Sequence, residues 1–86
     1  MRLIRTQSFK ADYEKLPIYI REQTEKQLKF FVINWRHPSL RIKKMEGFKN
    51  IFEARVSGDY RFTFQVFKDG YILRRIGRHD KTLKHP

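Results

Sequence analysis

The chain contains no cysteine, so neither disulfides nor thiolate metal ligands can staple it. That absence also removes the usual mark of a small secreted scaffold. Long apolar runs are missing as well: the longest, residues 30–33, is far too short to span a bilayer. The opening Met1-Arg2-Leu3-Ile4-Arg5 lacks the apolar stretch of a signal peptide, and a cytoplasmic protein is expected. No repeat, low-complexity stretch or linker divides the sequence, so residues 1–86 are expected to form one domain. A domain of this size buries only roughly 60–65 % of its unfolded surface. Acidic residues are scarce, nine against twenty Lys and Arg, which leaves a formal net charge of +11. Such an imbalance repels itself in a folded state, and an anionic partner would relieve it. Nucleic acid is the first candidate for that partner. A membrane surface is disfavoured, because no segment sets a basic face against a clean apolar one over a helix's length.

What is present is aromatic and periodic. Eight phenylalanines, four tyrosines and one tryptophan join the Ile, Leu and Val residues as core material. Residues 2–6 read as a short strand with Leu3 and Ile4 as its apolar members. Ser8 is the expected N-cap of a first helix, with Phe9, Tyr13 and Leu16 on one stripe. Pro17 breaks that helix and can open the next, which should run over residues 17–35. Ile20, Thr24, Leu28, Phe31 and Trp35 form its buried stripe, and Arg21, Glu22, Glu25, Lys26 and Lys29 its wet side. His37-Pro38-Ser39 ends it.

From Ile51 the period falls to two. Phe52, Ala54 and Val56 alternate with Glu53 and Arg55; Tyr60, Phe62, Phe64 and Val66 alternate with Arg61, Thr63 and Gln65. Ser57-Gly58-Asp59 links these strands, and Lys68-Asp69-Gly70 leads to a third over residues 71–78. A two-residue second turn would send Arg75 and Gly77 to the core; a three-residue loop sends Ile72 and Ile76 there, and is the preferred reading. The expected fold is α+β: an N-terminal strand and a two-helix hairpin packed on one face of an antiparallel sheet with a C-terminal three-strand meander. The other sheet face is expected to stay open.

On that open face a three-residue hairpin sets Arg55 opposite Arg61. Like charges in that relation are mildly destabilising, an odd choice for structure alone. Glu53 can neutralise one of them; alternatively the two guanidiniums form a phosphate clamp. The same parity puts Arg75 and His79 on this face beside Asp59, while Arg41, Lys43 and Lys44 approach it from upstream and His85 lies in a short tail that offers it little support. Cutting RNA by attack of its 2′-hydroxyl needs a base, an acid and cations for the developing phosphorane charge, which His, Glu, Arg and Lys supply. Asp80 can orient the His79 ring or cap the strand end. No His, Asp or Glu cluster has metal-ligand spacing, no glycine-rich phosphate loop is present, and neither metal nor cofactor is expected.

Four segments carry a family likeness: Lys43-Lys44-Met45-Glu46-Gly47, Ile51-Phe52-Glu53-Ala54-Arg55-Val56, Asp59-Tyr60-Arg61-Phe62 and Ile76-Gly77-Arg78-His79-Asp80. In this order and spacing the chain resembles the RelE/ParE toxin superfamily along nearly its whole length. The resemblance implies a toxin of a type II toxin–antitoxin system. In the RelE branch such a toxin is a metal-independent endoribonuclease that cuts mRNA in the ribosomal A site and so inhibits translation. It also implies a cognate acidic antitoxin, laid as a helix or added strand over the basic surface. By the same resemblance Arg61 is a catalytic position, and Glu53 and Arg55 match basic residues of the preceding strand, Glu53 with an acid in place of a cation. The arginine after the glycine of the last strand falls at His79, or at Arg78 with a small shift, and a C-terminal aromatic or histidine at His85. The implied catalytic set is Arg61, His79, His85 and Glu53, with Arg41, Lys43, Lys44, Arg55, Arg75 and Arg78 holding RNA. Two other roles fit the same fold: a ParE-type inhibitor of DNA gyrase, and an inactive homologue that only binds RNA or antitoxin.

Overall fold

Strand β1 (Arg2–Arg5) opens the chain, and helix α1 (Gln7–Glu14) follows at once. The structure, a computed structural model, describes residues 2–86. Thr6, not Ser8, caps α1: its side-chain oxygen accepts from the Phe9 N–H at 3.1 Å, and its hydroxyl donates to the Arg74 carbonyl at 3.0 Å. A cap of this kind contributes about 1 kcal/mol. Ser8 lies inside the helix because the extended backbone stops one residue after β1, at Thr6. Phe9 and Leu16 are buried on the expected stripe, with Tyr13 half-buried between them.

Pro17 occupies the N-cap position of helix α2 (Ile18–Ile33), which buries Ile20, Thr24, Gln27, Leu28 and Phe31. Trp35, expected to complete that stripe, lies beyond the helix. Asn34 turns to an extended conformation, φ −156°, and its side chain accepts from the Arg36 N–H at 3.1 Å. A single 3-10 turn (Pro38–Leu40) then leads to strand β2 (Lys43–Lys44).

Strands β3 (Ile51–Ser57), β4 (Tyr60–Phe67) and β5 (Gly70–Arg78) form the meander, and a one-turn helix α3 (His79–Thr82) follows. The fold is α+β, and the sheet order is β1-β5-β4-β3-β2. Pairing is antiparallel except for β1, which runs parallel to β5 and makes the sheet mixed. Gly70 allows that pairing: its φ is +155°, and a Cβ there would lie 1.9 Å from the Arg2 carbonyl oxygen.

Both meander turns are shorter than expected. Ser57 pairs with Tyr60 and Phe67 with Gly70, so Gly58-Asp59 and Lys68-Asp69 are two-residue turns. An irregularity in each pairing restores the expected register further along. Arg55 still faces Arg61, with Val56 as the extra residue, and Thr63 faces Arg75 with Arg74 extra. Tyr71, Leu73 and Ile76 are therefore the buried apolar side chains of β5, whereas Ile72, expected in the core, is only half-buried on the opposite face.

Beneath the sheet, Phe31 of α2 meets Phe62, Phe64 and Tyr71 at ring-centroid distances of 5.4, 4.7 and 4.5 Å. Above α2, Arg5 reaches Glu25 at 3.0 Å, beside the Tyr13 ring. Burial, then the nearby Glu25 carboxylate, raises the Tyr13 pKa. Burial pushes Glu25 upward, but hydrogen bonds from Arg5 and Tyr13 and the charges of Arg5 and Lys29 outweigh it, leaving a net depression. A depressed carboxylate adds stability above its unfolded pKa and loses it as pH falls through the folded value. Because Glu25 is 44 % exposed, solvent screening keeps the contribution below about 1 kcal/mol. Urea unfolding should show Glu25→Gln slightly weaker at neutral pH and converging on the wild type near about pH 3. An unchanged gap at both pH values would assign the loss to packing instead.

Candidate functional site

Residues opposite one another in a ladder share a sheet face, so the registers build the site row by row. On the face away from the α2 core, one row runs Arg55, Arg61, Gly77 across β3, β4 and β5. The next runs Lys43, Glu53, Thr63, Arg75 across β2 to β5. The expected Arg55–Arg61 opposition is therefore present, with both side chains half-buried. Glu53 and Thr63, by contrast, are buried, 6 % and 0 % exposed.

Their burial marks a correction: this face is not fully open. Helix α3 and the tail lie across the β5 end of it, where a Cβ on Gly77 would stand 2.9 Å from Thr82 Oγ1. The tail is also better supported than expected, for Pro86 is buried and its carbonyl accepts from Arg74 Nε at 3.1 Å. His85 beside it is exposed and lines two clefts that both include Arg75.

Arg61, Arg78 and His79 converge on one open groove with Asp59 and Asp80. The Arg61 Nη1 donates to the Gly58 and Tyr60 carbonyls at 2.7 and 2.9 Å. Among the described residues its Nε and Nη2 meet no acceptor, leaving one edge of the fork for an outside anion. The His79 backbone N–H donates to the Asp59 carbonyl at 2.6 Å, which ties the start of α3 to the hairpin turn. Arg78 lies over the Tyr60 ring at 5.2 Å and only 3.8 Å from the Asp59 carboxylate, an exposed pair of little energetic weight. Asp80 lies in the first turn of α3, where its carboxylate accepts from the Lys81 N–H at 3.1 Å; the N-cap position is Arg78, and among the described residues no side chain caps the helix.

The remaining candidates are dispersed. Arg75 is bound bidentately by Asp12, Nε at 2.7 Å and Nη2 at 3.0 Å, and that carboxylate raises its pKa. Asp12 also accepts from the Ile76 N–H at 3.1 Å, past the point where β1 stops pairing with β5. Lys44 pairs with Phe52, opposite in parity to Lys43, and Arg41 stands in a separate groove beside Trp35. Among the described residues no three His, Cys, Asp or Glu side chains lie close enough to hold a metal ion.

Asp12, and the role of Thr63, went unread in the sequence. Asp12 meets Arg75 across 63 positions, a contact that no local pattern signals. Thr63 was legible as an outward residue of β4, but its role, accepting the Arg75 N–H at 3.1 Å, depends on the irregular pairing beside it.

This strand order, with α2 packed on one sheet face and the basic rows on the other, is the RelE-like toxin fold. Among solved structures that share it is a chain of the RelB–RelE antitoxin–toxin complex of Methanococcus jannaschii, similar at TM-score 0.77 and 24 % identity over 96 % of this chain and 99 % of that one. The YoeB/ParE toxin of Agrobacterium tumefaciens is similar at TM-score 0.76 and 17 % identity, over 92 % and 99 % of the two chains. A chain of the Escherichia coli DinJ–YafQ toxin–antitoxin complex matches at TM-score 0.77 and 12 % identity, over 93 % of each. No protein-family model matches the chain, and no curated protein matches it closely in sequence. Among the described residues no helix is long and apolar enough to cross a membrane.

Proposed function

We propose that this chain is the toxin of a toxin–antitoxin pair and acts in the cytoplasm as a metal-independent, ribosome-dependent mRNA endoribonuclease. The observation that carries the reading is the Arg55–Arg61 opposition, next to the groove that gathers Arg61, Arg78 and His79. Two like charges held face to face weaken a sheet unless an anion lies between them. Guanidiniums bind phosphate oxygens bidentately and stay charged at any working pH.

In the proposed reaction a base takes the proton of the 2′-hydroxyl, O2′ bonds to phosphorus, and the P–O5′ bond breaks. A 2′,3′-cyclic phosphate remains, and the leaving O5′ takes a proton from an acid. Arg61 and Arg55 stabilise the phosphorane charge. His79 shares the groove with Arg61, which supports assigning it the proton exchange there. Glu53 lies one row along, between Lys43 and Thr63, and His85 stands in the clefts beside Arg75. An acidic antitoxin laid on these rows would cover Arg61 and so inhibit without any change of fold.

Primer extension on translating ribosomes tests the reading. Cleavage within the A-site codon, absent when ribosomes are omitted, is the expected outcome. Intact mRNA with folded protein would sink it, and a gyrase supercoiling assay would then decide for or against a ParE-type role.

A further inference from the structure

Beyond the arginine rows, the β2 edge of the sheet carries a second basic and aromatic feature. Residues 26–45 contain six Lys and Arg and no Asp or Glu. Within that stretch Trp35, Arg36, His37, Pro38, Arg41 and Ile42 line a groove. Trp35 is 36 % exposed although it is among the largest apolar side chains in the molecule. Arg36 lies 5.3 Å from the centroid of its ring. Arg41, another lining residue, is exposed and held in the left-handed region at φ 45°.

The groove is fixed from below. His37 stacks on Phe30 at 4.3 Å, and its Nδ1 lies 2.8 Å from Ser39 Oγ. Gln27 of α2 donates to both the Ser39 and the Arg55 carbonyls, at 3.2 and 2.9 Å. The same side chain thus ties this loop to the strand that presents Arg55. From the groove the chain runs through Ile42 into Lys43, the first member of the row that crosses the sheet to Arg75.

We infer that this groove is a second contact for single-stranded RNA, in which Trp35 stacks one base and Arg41 and Arg36 hold the flanking phosphates. The inference rests on the RNA reading of the chain and deepens it by naming where the strand is anchored away from the arginine rows. An aromatic ring beside guanidiniums, in a stretch free of acid, provides the two things single-stranded RNA offers at every nucleotide: a π-face and a phosphate. An acidic protein helix would satisfy the charge but would leave the ring's planar preference unused.

Trp35 is the only tryptophan, so its emission reports this groove alone. The wild-type protein is titrated with a short single-stranded RNA of mixed sequence and with an abasic ribose-phosphate oligomer of equal length. RNA is expected to quench Trp35 emission and to bind about tenfold more tightly than the abasic oligomer, as the loss of one stacked base would give. Trp35→Ala, followed by anisotropy of labelled RNA, should weaken RNA binding by about the same factor and leave abasic binding unmoved. Arg41→Gln should weaken both and flatten the salt dependence. Equal affinity for the two oligomers, or emission that does not move while anisotropy shows RNA bound, would overturn the inference. Cleavage on ribosomes is measured in parallel. Cleavage without quenching removes the groove and keeps the nuclease, and quenching without cleavage does the reverse.

Discussion

Arg61→Ala is expected to slow ribosome-dependent cleavage by two to three orders of magnitude, about the cost of removing one pre-set donor to a transition-state oxyanion. Among the described residues only Nη1 of this side chain is engaged, by the exposed Gly58 and half-buried Tyr60 carbonyls at the hairpin turn. Water can replace those bonds, so folding stability should change by less than about 1 kcal/mol. Arg61→Lys keeps the charge but loses the planar fork, and a partial recovery is expected. Arg55→Ala should lower cleavage in the same direction while leaving the fold no weaker, because it relieves a like-charge opposition across β3 and β4. The double substitution should cost less than the two single losses combined, since both groups act on one phosphate. Rates are to be read from primer-extension time courses, with folding checked by circular dichroism. Cleavage by Arg61→Ala within about twofold of wild type would place the phosphate elsewhere on the protein.

Legibility in the sequence followed the range of the forces involved. The α2 stripe of Ile20, Thr24, Leu28 and Phe31 was readable because burial along a helix repeats every turn. The alternation in β3 and β4 was readable too, and it gave the Arg55–Arg61 opposition, although the turn between them was misjudged by one residue. In β5 the apolar residues Tyr71, Leu73 and Ile76 do not keep one parity, so no single turn length could satisfy them all. That conflict was itself the signature of the extra residue, Arg74. The parallel pairing of β1 with β5 spans most of the chain and leaves only an indirect trace, the glycine at position 70. Helix α3 has four residues, too few to show a period, and its cover over Gly77 was invisible for that reason. Of the proposed site, residues on regular strands were placed well. Arg75 was placed on the right face, but its commitment to Asp12 needed the tertiary fold.

Phe31→Ala should cost about 3–5 kcal/mol, the range for removing a buried aromatic side chain. A chain of 86 residues has roughly 4–13 kcal/mol of stability in all, so the substitution puts the fold itself at risk. Phe31 is 1 % exposed and is the α2 side chain on which three strand aromatics converge. Its contacts with Phe62 and Phe64 are edge-on, at interplanar angles of 86° and 68°. Such geometry adds roughly 0.5–1.5 kcal/mol per pair beyond the area buried. Phe31→Leu fills much of the same space and should lose the edge contacts alone, so its cost should be markedly smaller than that of alanine. Phe52→Ala, at a half-buried ring stacked on Phe64 at 5.4 Å, should fall below Phe31→Ala as well. Urea midpoints at constant slope give this order directly. A Phe31→Ala midpoint close to that of Phe52→Ala would mean the three strands are held by some other part of the α2 stripe. Phe62 and Phe64 also flank Thr63 on the strand that presents Arg61. Any loss of cleavage in Phe31→Ala should therefore track the unfolded fraction and return on cooling, whereas the loss in Arg61→Ala should not.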